Sequence, residues 1–504
     1  MSASLKFTQQ LRELGVPVSR LITDSRAVQA GDTFVAYPGE KNDGRRHIAQ
    51  AVAQGATSVI WEEQGFSWDH SWGVANLSVT DLRLKAGWLA NAVYGAPSES
   101  LWMVGVTGTN GKTSTSHWIA QAFNEAGKKC AMIGTLGNGF AGALQATVNT
   151  TPDAIHVHGL LAEYRAYGAQ AVAMEVSSHA LAQGRVNGVR FDVALLTNLT
   201  RDHLDYHGDM QGYSAAKRRL FDWKSLKYAV VNLDDVFGTE LALRLREKEV
   251  EVVGYGLTDA ALQLAGKHGW RMVKGHLLEI NGQGIRLGIH SSWGVAEINS
   301  VLIGRFNAAN LLGALAVLLV SDVNLIQAVS SLSRVQSVAG RMQKVGKPGQ
   351  PAVIVDYAHT PDALEKVLMA LRELCDVSHE AGRLICLFGC GGDRDRGKRA
   401  MMGQVAEKFA DHCIVTSDNP RSENPEEIIS QIVAGMTEQR HEVIVDREVA
   451  IAHAIEQAHP GDIVLLAGKG HENYQEIHGV KYSFSDMNMA EAALNKCSTQ
   501  GGAR

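Results

Sequence analysis

The sequence predicts an α/β protein of three domains. A small N-terminal α/β unit spans residues 1–97, a central ATPase-like unit with a mostly parallel sheet spans 98–338, and a Rossmann-like α/β unit spans 339–504. Three observations lead there. A chain of 504 residues exceeds what one hydrophobic core supports. Apolar runs of strand length alternate with helix-length segments over most of its length. Between Trp102 and Ser116 an apolar run gives way to a glycine-bearing turn and then to an amphipathic run, in the order strand, phosphate loop, helix.

Composition supports this class and excludes others. Hydrophobic residues make up 45% and charged residues 20%, with 51 glycines and 10 prolines, which suits alternating elements joined by tight turns. The net charge of −5 has both signs spread along the chain, so no basic field points to nucleic acid or an anionic membrane. The six cysteines form no CxxC pair, and Met1–Gln10 lacks an apolar signal core. The longest apolar run, Leu311 to Val320, is too short to span a bilayer. A cytoplasmic protein with reduced thiols and no membrane insertion is expected.

In the first unit, Leu21–Arg26, Thr33–Ala36 and Thr57–Trp61 read as strands and His47–Gln54 as the one helix, with a linker at Gly95-Ala96-Pro97. In the second, Gln170–Val176, Asp192–Thr197 and Lys227–Asn232 read as buried parallel strands. Arg271–Gly304 reads as an antiparallel patch and Asn307–Val320 as a buried helix. In the third, Ile354–Tyr357, Leu384–Phe388, His412–Thr416, Val443–Val445 and Asp462–Ala467 read as strands. A helix should start at Asn424, with Pro425, Glu426 and Glu427 in its first turn.

Chemistry concentrates at the carboxyl ends of these strands, where ligands of parallel sheets sit. Gly108 and Gly111 free backbone N–H groups to turn inward, Lys112 adds a full positive charge, and Thr113 can hold magnesium. A nucleoside triphosphate is the implied ligand. Magnesium needs one or two carboxylates besides that hydroxyl, and Glu175, closing an apolar strand, is the first candidate. His203 can ligate or orient; Lys217 by itself reads as one basic residue on an amphipathic helix. In the third unit Gly389–Lys398, Asp418–Arg421 and Gly468–Glu472 follow three strands. Together they offer the acids and guanidinium groups that a zwitterion requires.

These motifs resemble the Mur ligases, ATP-dependent amide-forming enzymes of bacterial cell-wall synthesis. The markers are Thr107-Gly-Thr-Asn-Gly-Lys-Thr113, Asn149-Thr-Thr151, Glu175-Val-Ser-Ser-His179, Thr197-Asn-Leu-Thr-Arg-Asp-His203, Asn307-Ala-Ala-Asn310, Gly340-Arg341, Asp356-Tyr-Ala-His-Thr-Pro361 and Gly468-Lys-Gly-His-Glu472. Asp418-Asn419-Pro420-Arg421 is similar to the motif of members that add meso-diaminopimelate rather than lysine, and Arg421 suits the distal carboxylate that lysine lacks.

The resemblance implies ATP and Mg2+ as cofactors, with UDP-N-acetylmuramoyl-L-alanyl-D-glutamate and meso-diaminopimelate as substrates of a monomer. It implies that Thr23, Ser25 and the Glu40–Asn42 loop face the uridine nucleotide. Asn149, Thr150, Thr151, Ser177, Gln183 and Arg185 would hold the muramoyl-peptide. Gly108, Thr109, Asn110, Gly111, Lys112, Thr113, Ser114, Asn307, Arg341 and Asp356 would surround ATP. Arg394, Asp418, Asn419, Pro420, Arg421, Gly468 and Glu472 would take the amino acid. Lys112, Glu175, His203 and Lys217 are then catalytic. Lys217, as a carbamate, joins Thr113, Glu175 and His203 around the metal. A lysine-adding enzyme, a folylpolyglutamate synthetase-like ligase and a non-enzymatic nucleotide switch are the alternatives.

Overall fold

The computed structural model describes residues 3–501 except 41, 282–283, 348, 378–381 and 439. Its strands form three large sheets and one hairpin. The first sheet has four parallel strands, Leu21–Ile22, Thr33–Ala36, Ser58–Glu62 and Ala75–Val79, in chain order. The strand expected over Leu21–Arg26 stops at Ile22. The Asp24 carboxylate accepts the Arg26 N–H at 2.9 Å and caps a 3₁₀ turn there. The expectation of one helix in this stretch is also corrected. Leu82–Val93 is a second helix, whose Leu82, Ala86, Leu89 and Ala90 are fully buried at helical spacing.

The second sheet has eleven strands. Its middle is parallel, with Trp102–Thr107 between Ala171–Glu175 and Val193–Leu196, followed outward by Tyr228–Asn232 and Glu251–Gly256. Both ends turn antiparallel. Arg271–Asn281, Gly284–Ser291 and Gly294–Ser300 make one wing, as expected, while Gly137–Phe140 and Ala143–Gln145 make a wing that the sequence did not suggest. Helix Lys112–Glu125 lays Trp118, Ile119 and Phe123 against helix Arg305–Val320 on one face. From Leu311 to Val320 the latter helix is apolar on every side because sheet and helices enclose it. Phe191, Phe221 and Phe237 fill the other face.

The third sheet has strand order Gln343–Val345, Ala352–Asp356, Ile463–Ala467, Leu384–Phe388, His412–Val415, His441–Val443, parallel except at its first strand. The last of these lies earlier than the Val443–Val445 expected, because Asp446 caps helix Arg447–Glu456 through the Val449 N–H at 3.1 Å and draws the chain out of the sheet. Asn424 caps helix Pro425–Val433 as expected, accepting the Glu426 N–H at 2.9 Å. None of the six cysteines is in a disulfide. Among the described residues no helix is long and apolar enough to cross a membrane.

Candidate functional site

The phosphate loop lies at the centre of the eleven-stranded sheet, where strand Trp102–Thr107 hands over to helix Lys112–Glu125. Gly108 has φ +149°, and a β-carbon there would sit 1.8 Å from Thr197 Oγ1, so only glycine lets the loop pass so close to the neighbouring strand end. Thr197 Oγ1 donates to the Asn110 carbonyl at 2.6 Å, and the Asn198 side chain accepts the Asn110 N–H at 3.0 Å. Lys112 Nζ folds back onto the Gly108 and Thr109 carbonyls, at 2.8 and 2.9 Å.

Glu175 is 2% exposed and takes hydrogen bonds from Thr113 Oγ1 at 2.9 Å, the Thr135 N–H at 2.8 Å and Thr135 Oγ1 at 3.1 Å. Thr113 and Glu175 therefore present hard oxygens side by side. No three His, Cys, Asp or Glu side chains converge on a metal position among the described residues. The donor set suits a cation that takes few protein oxygens and completes its shell with phosphate and water, as magnesium does.

Lys217 is 1% exposed, with Nζ donating to the Gly108 carbonyl at 2.7 Å and lying over the Tyr213 ring. Burial, reinforced by the Lys112 ammonium, pushes its pKa well below the lysine range. Lys112 is lowered too, chiefly by burial, with Glu175 and Asp202 opposing. The basic residue read from the helix pattern is thus a buried amine whose protonation burial and the Lys112 ammonium disfavour. His203 occupies the left-handed region at φ +54°. Its ring Nε2 lies 3.2 Å from Asp202, and burial lowers its pKa to about 3. The His179 ring packs edge-on against it, likewise lowered by burial to about 4. Both are neutral at neutral pH.

A cleft of about 490 Å³ joins the central and third units at this point. Thr109–Ser114, Thr150, Glu175, Ser177, His203, Lys217, Asn307, Arg341 and Asp356 all line it. Arg341 donates to Thr113 Oγ1 at 3.4 Å and stacks on Tyr357, while buried Asp356 accepts the Met342 N–H at 2.7 Å. Burial raises the Asp356 pKa, with Arg341 opposing. Side chains to which the sequence assigned no role also join the units. Asp362 accepts from Asn110 Nδ2 at 3.0 Å and Thr200 Oγ1 at 3.3 Å, and His359 lies 3.8 Å from Asp202.

A second cavity of about 210 Å³ between the first and central units is lined by Asn149, Gln183 and Arg185 together with Tyr37, Glu40 and Arg83. Glu40 accepts from Gln183 Nε2 at 2.6 Å and from Arg83 at 3.2 Å; Lys41 lies outside the described residues. Thr151 connects the two cavities, its hydroxyl donating to the Glu175 carbonyl and its carbonyl accepting from Arg185. Thr23 and Ser25 line neither cavity, and Ser25 Oγ bonds Gln50.

The three charged loops of the third unit converge. Asn419 Nδ2 donates to Glu472 at 2.8 Å, and buried Lys469 Nζ donates to Asn419 Oδ1 at 3.0 Å. Arg421 reaches the Gly392 carbonyl at 2.7 Å, and a β-carbon on Gly468 would meet Asp418 at 2.6 Å. Arg394 stands exposed at the rim, donating to the Asp393 carbonyl at 3.1 Å. Pro420 fixes the turn between Asn419 and Arg421, and its carbonyl would be 2.0 Å from a β-carbon on Gly392.

A phosphate loop facing a carboxylate and a buried amine, in a cleft shared by the central and third units, marks a ligase of three α/β domains. The chain belongs to the Mur ligase family. Family models match residues 17–94 (Mur ligase family, catalytic domain), 106–318 (Mur ligase middle domain) and 340–470 (Mur ligase, glutamate ligase domain). Among its relatives, proteins of Chromobacterium violaceum and Nitrosomonas europaea are 52% and 48% identical to it. The first covers 96% of both chains, the second 96% of this chain and 94% of its own. Both carry the name UDP-N-acetylmuramoyl-L-alanyl-D-glutamate–2,6-diaminopimelate ligase. A solved structure of that name is 37% identical over 96% of both chains, with a TM-score of 0.65. A folylpolyglutamate synthase of Mycobacterium tuberculosis, 16% identical over 76% of this chain and 92% of its own with a TM-score of 0.56, shares the fold.

Proposed function

We propose that the chain joins meso-diaminopimelate to the D-glutamyl side carboxylate of UDP-N-acetylmuramoyl-L-alanyl-D-glutamate, consuming ATP, in the cytoplasmic synthesis of peptidoglycan precursor, and that it acts as a monomer. The observation that carries this reading is the Asp418–Arg421 loop, knit to Glu472, Lys469 and Gly392, in a chain 52% identical to a diaminopimelate ligase. Units 1–97, 98–338 and 339–504 would hold the uridine nucleotide, ATP and the amino acid respectively.

In this reading the carboxylate attacks the γ-phosphorus of ATP, the bond to ADP breaks, and an acyl phosphate forms. The amine of diaminopimelate then adds to the acyl carbon and phosphate leaves. Lys112 and the loop N–H groups offset the charge of the transferring phosphoryl group. Thr113, Glu175 and His203 would hold magnesium, which when bound neutralises phosphate charge. Neutral Lys217 can bond CO2 and lose a proton, which makes it a carbamate with two further ligand oxygens. Asn149, Thr150, Thr151, Ser177, Gln183 and Arg185 would seat the muramoyl-peptide near that centre, with Thr23, Ser25 and Glu40 toward uridine.

The test is phosphate release driven by meso-diaminopimelate against L-lysine, in wild type and Arg421→Ala. Diaminopimelate-dependent release that collapses, along with the preference over lysine, in the variant is expected. Equal turnover of both amino acids by the wild type overturns the reading.

A further inference from the structure

Arg421 owes its place to contacts outside the four-residue motif. It is a non-glycine residue in the left-handed region, at φ +52°, and its backbone is held by hairpin Tyr474–Ile477/Val480–Ser483. The Arg421 N–H donates to the Glu476 carbonyl at 3.0 Å, and the His478 N–H donates to the Arg421 carbonyl at 2.7 Å. On its other side the segment is zipped to the Gly391–Asp393 loop. The Gly392 N–H donates to the Asn419 carbonyl at 2.9 Å, and Ser422 Oγ donates to Asp393 at 2.6 Å.

One carboxylate closes that zipper. Glu423 accepts the Asp393 N–H at 2.6 Å, and its two oxygens take both arms of the Arg399 guanidinium at 2.9 Å each. Arg399, 1% exposed in its side chain, also donates to the Gly391 carbonyl at 3.2 Å, so the fork ties both loops to the helix beneath them. The Arg396 side chain adds a second cation, 3.2 Å away. Neither Glu423 nor Arg399 lines the cleft.

We propose that Glu423 is a positioning residue for amino-acid selectivity: by clamping Arg399 and the Asp393 N–H it sets the separation between Arg394 and Arg421. This rests on the diaminopimelate reading above, since it assigns those two guanidiniums to the incoming amino acid. A zwitterion with a carboxylate at each end is recognised by the distance between two cations, and lysine, with one carboxylate, is not.

Glu423→Ala should raise KM for meso-diaminopimelate on the order of tenfold and reduce its preference over L-lysine by a similar factor. KM for ATP and for the UDP-muramoyl-dipeptide should stay within about twofold. Glu423→Gln keeps an acceptor for one partner and should fall between wild type and alanine. Arg399→Lys loses the two-point fork and should resemble alanine. An unchanged diaminopimelate KM in Glu423→Ala overturns the proposal, as does a fall in kcat with all three KM values unchanged, which is the mark of a smaller folded fraction. Arg421→Ala, measured alongside, separates the layers. If it abolishes the preference while Glu423→Ala does not, only the positioning role fails; if it leaves the preference intact, the functional reading fails.

Discussion

Replacing Gly108 with alanine tests the claim that the phosphate loop is shaped by a close approach of backbones. The new methyl would lie 1.8 Å from Thr197 Oγ1 and 3.1 Å from the Asn198 backbone, whereas carbon contacts settle near about 3.5 Å. Something must move by roughly 1.5 Å. Thr197 cannot swing away freely, because its hydroxyl donates to the Asn110 carbonyl. The Gly108 carbonyl anchors both Lys112 and Lys217, so displacing this residue displaces both amines. Overpacking of about 2 kcal/mol and backbone strain of about 1 kcal/mol give a stability loss near 3 kcal/mol. A misplacement of about 1 Å in a reacting constellation costs on the order of a hundredfold in rate. Gly127→Ala is the control. Gly127 also has positive φ, +79°, but a β-carbon there meets nothing within 4 Å. It should lose about 1 kcal/mol and no activity. Urea denaturation and steady-state phosphate release measure both quantities. Turnover of Gly108→Ala within threefold of wild type would refute the reasoning.

Two further predictions concern pH and the junction between units. His158 is fully buried, with Nε2 bonded to the Asn187 carbonyl at 3.0 Å and Nδ1 without a partner among the described residues; burial lowers its pKa from 6.5 to about 4. Below pH 6.5 the unfolded chain binds a proton that the folded chain refuses until about pH 4, so stability present above that window falls by up to about 3 kcal/mol as pH drops through it. His158→Gln should flatten this part of the stability profile in urea melts from pH 7 to 4, and equal slopes would count against it. Asp362→Ala removes the acceptor that Asn110 and Thr200 share with Lys366, and should lower kcat about tenfold with an unchanged melting curve. Undiminished kcat would show that this contact does not align the two units.

What the sequence disclosed and what it withheld divide along one physical line. The phosphate loop, the place of Glu175 at a strand end and the Asn424 cap were legible because each is set within a few residues: a glycine next to a strand end, an acid closing an apolar run, a side chain bonding its own helix. The wing Gly137–Phe140/Ala143–Gln145 was not, since its glycines carry no strand propensity and a buried neighbour supplies the pairing. Helix Leu82–Val93 was hidden in a stretch read as strands and loops, although its apolar spacing was there to be counted. Lys217 marks the limit most clearly. Its helix pattern describes a surface residue, and its buried setting arises only because a carbonyl 109 positions earlier lies 2.7 Å from its amine. Glu423 and Arg399 are alike in this respect. Nothing in their neighbours announces a two-point fork, which exists because two successive strands, Leu384–Phe388 and His412–Val415, pair in parallel and release their loops side by side. Residues whose setting is fixed by their sequence neighbours can thus be read from local chemistry, whereas residues whose setting is made by distant segments depend on long-range packing. On the proposal made for Glu423, selectivity between two amino acids that differ by one carboxylate depends on the second kind as much as the first.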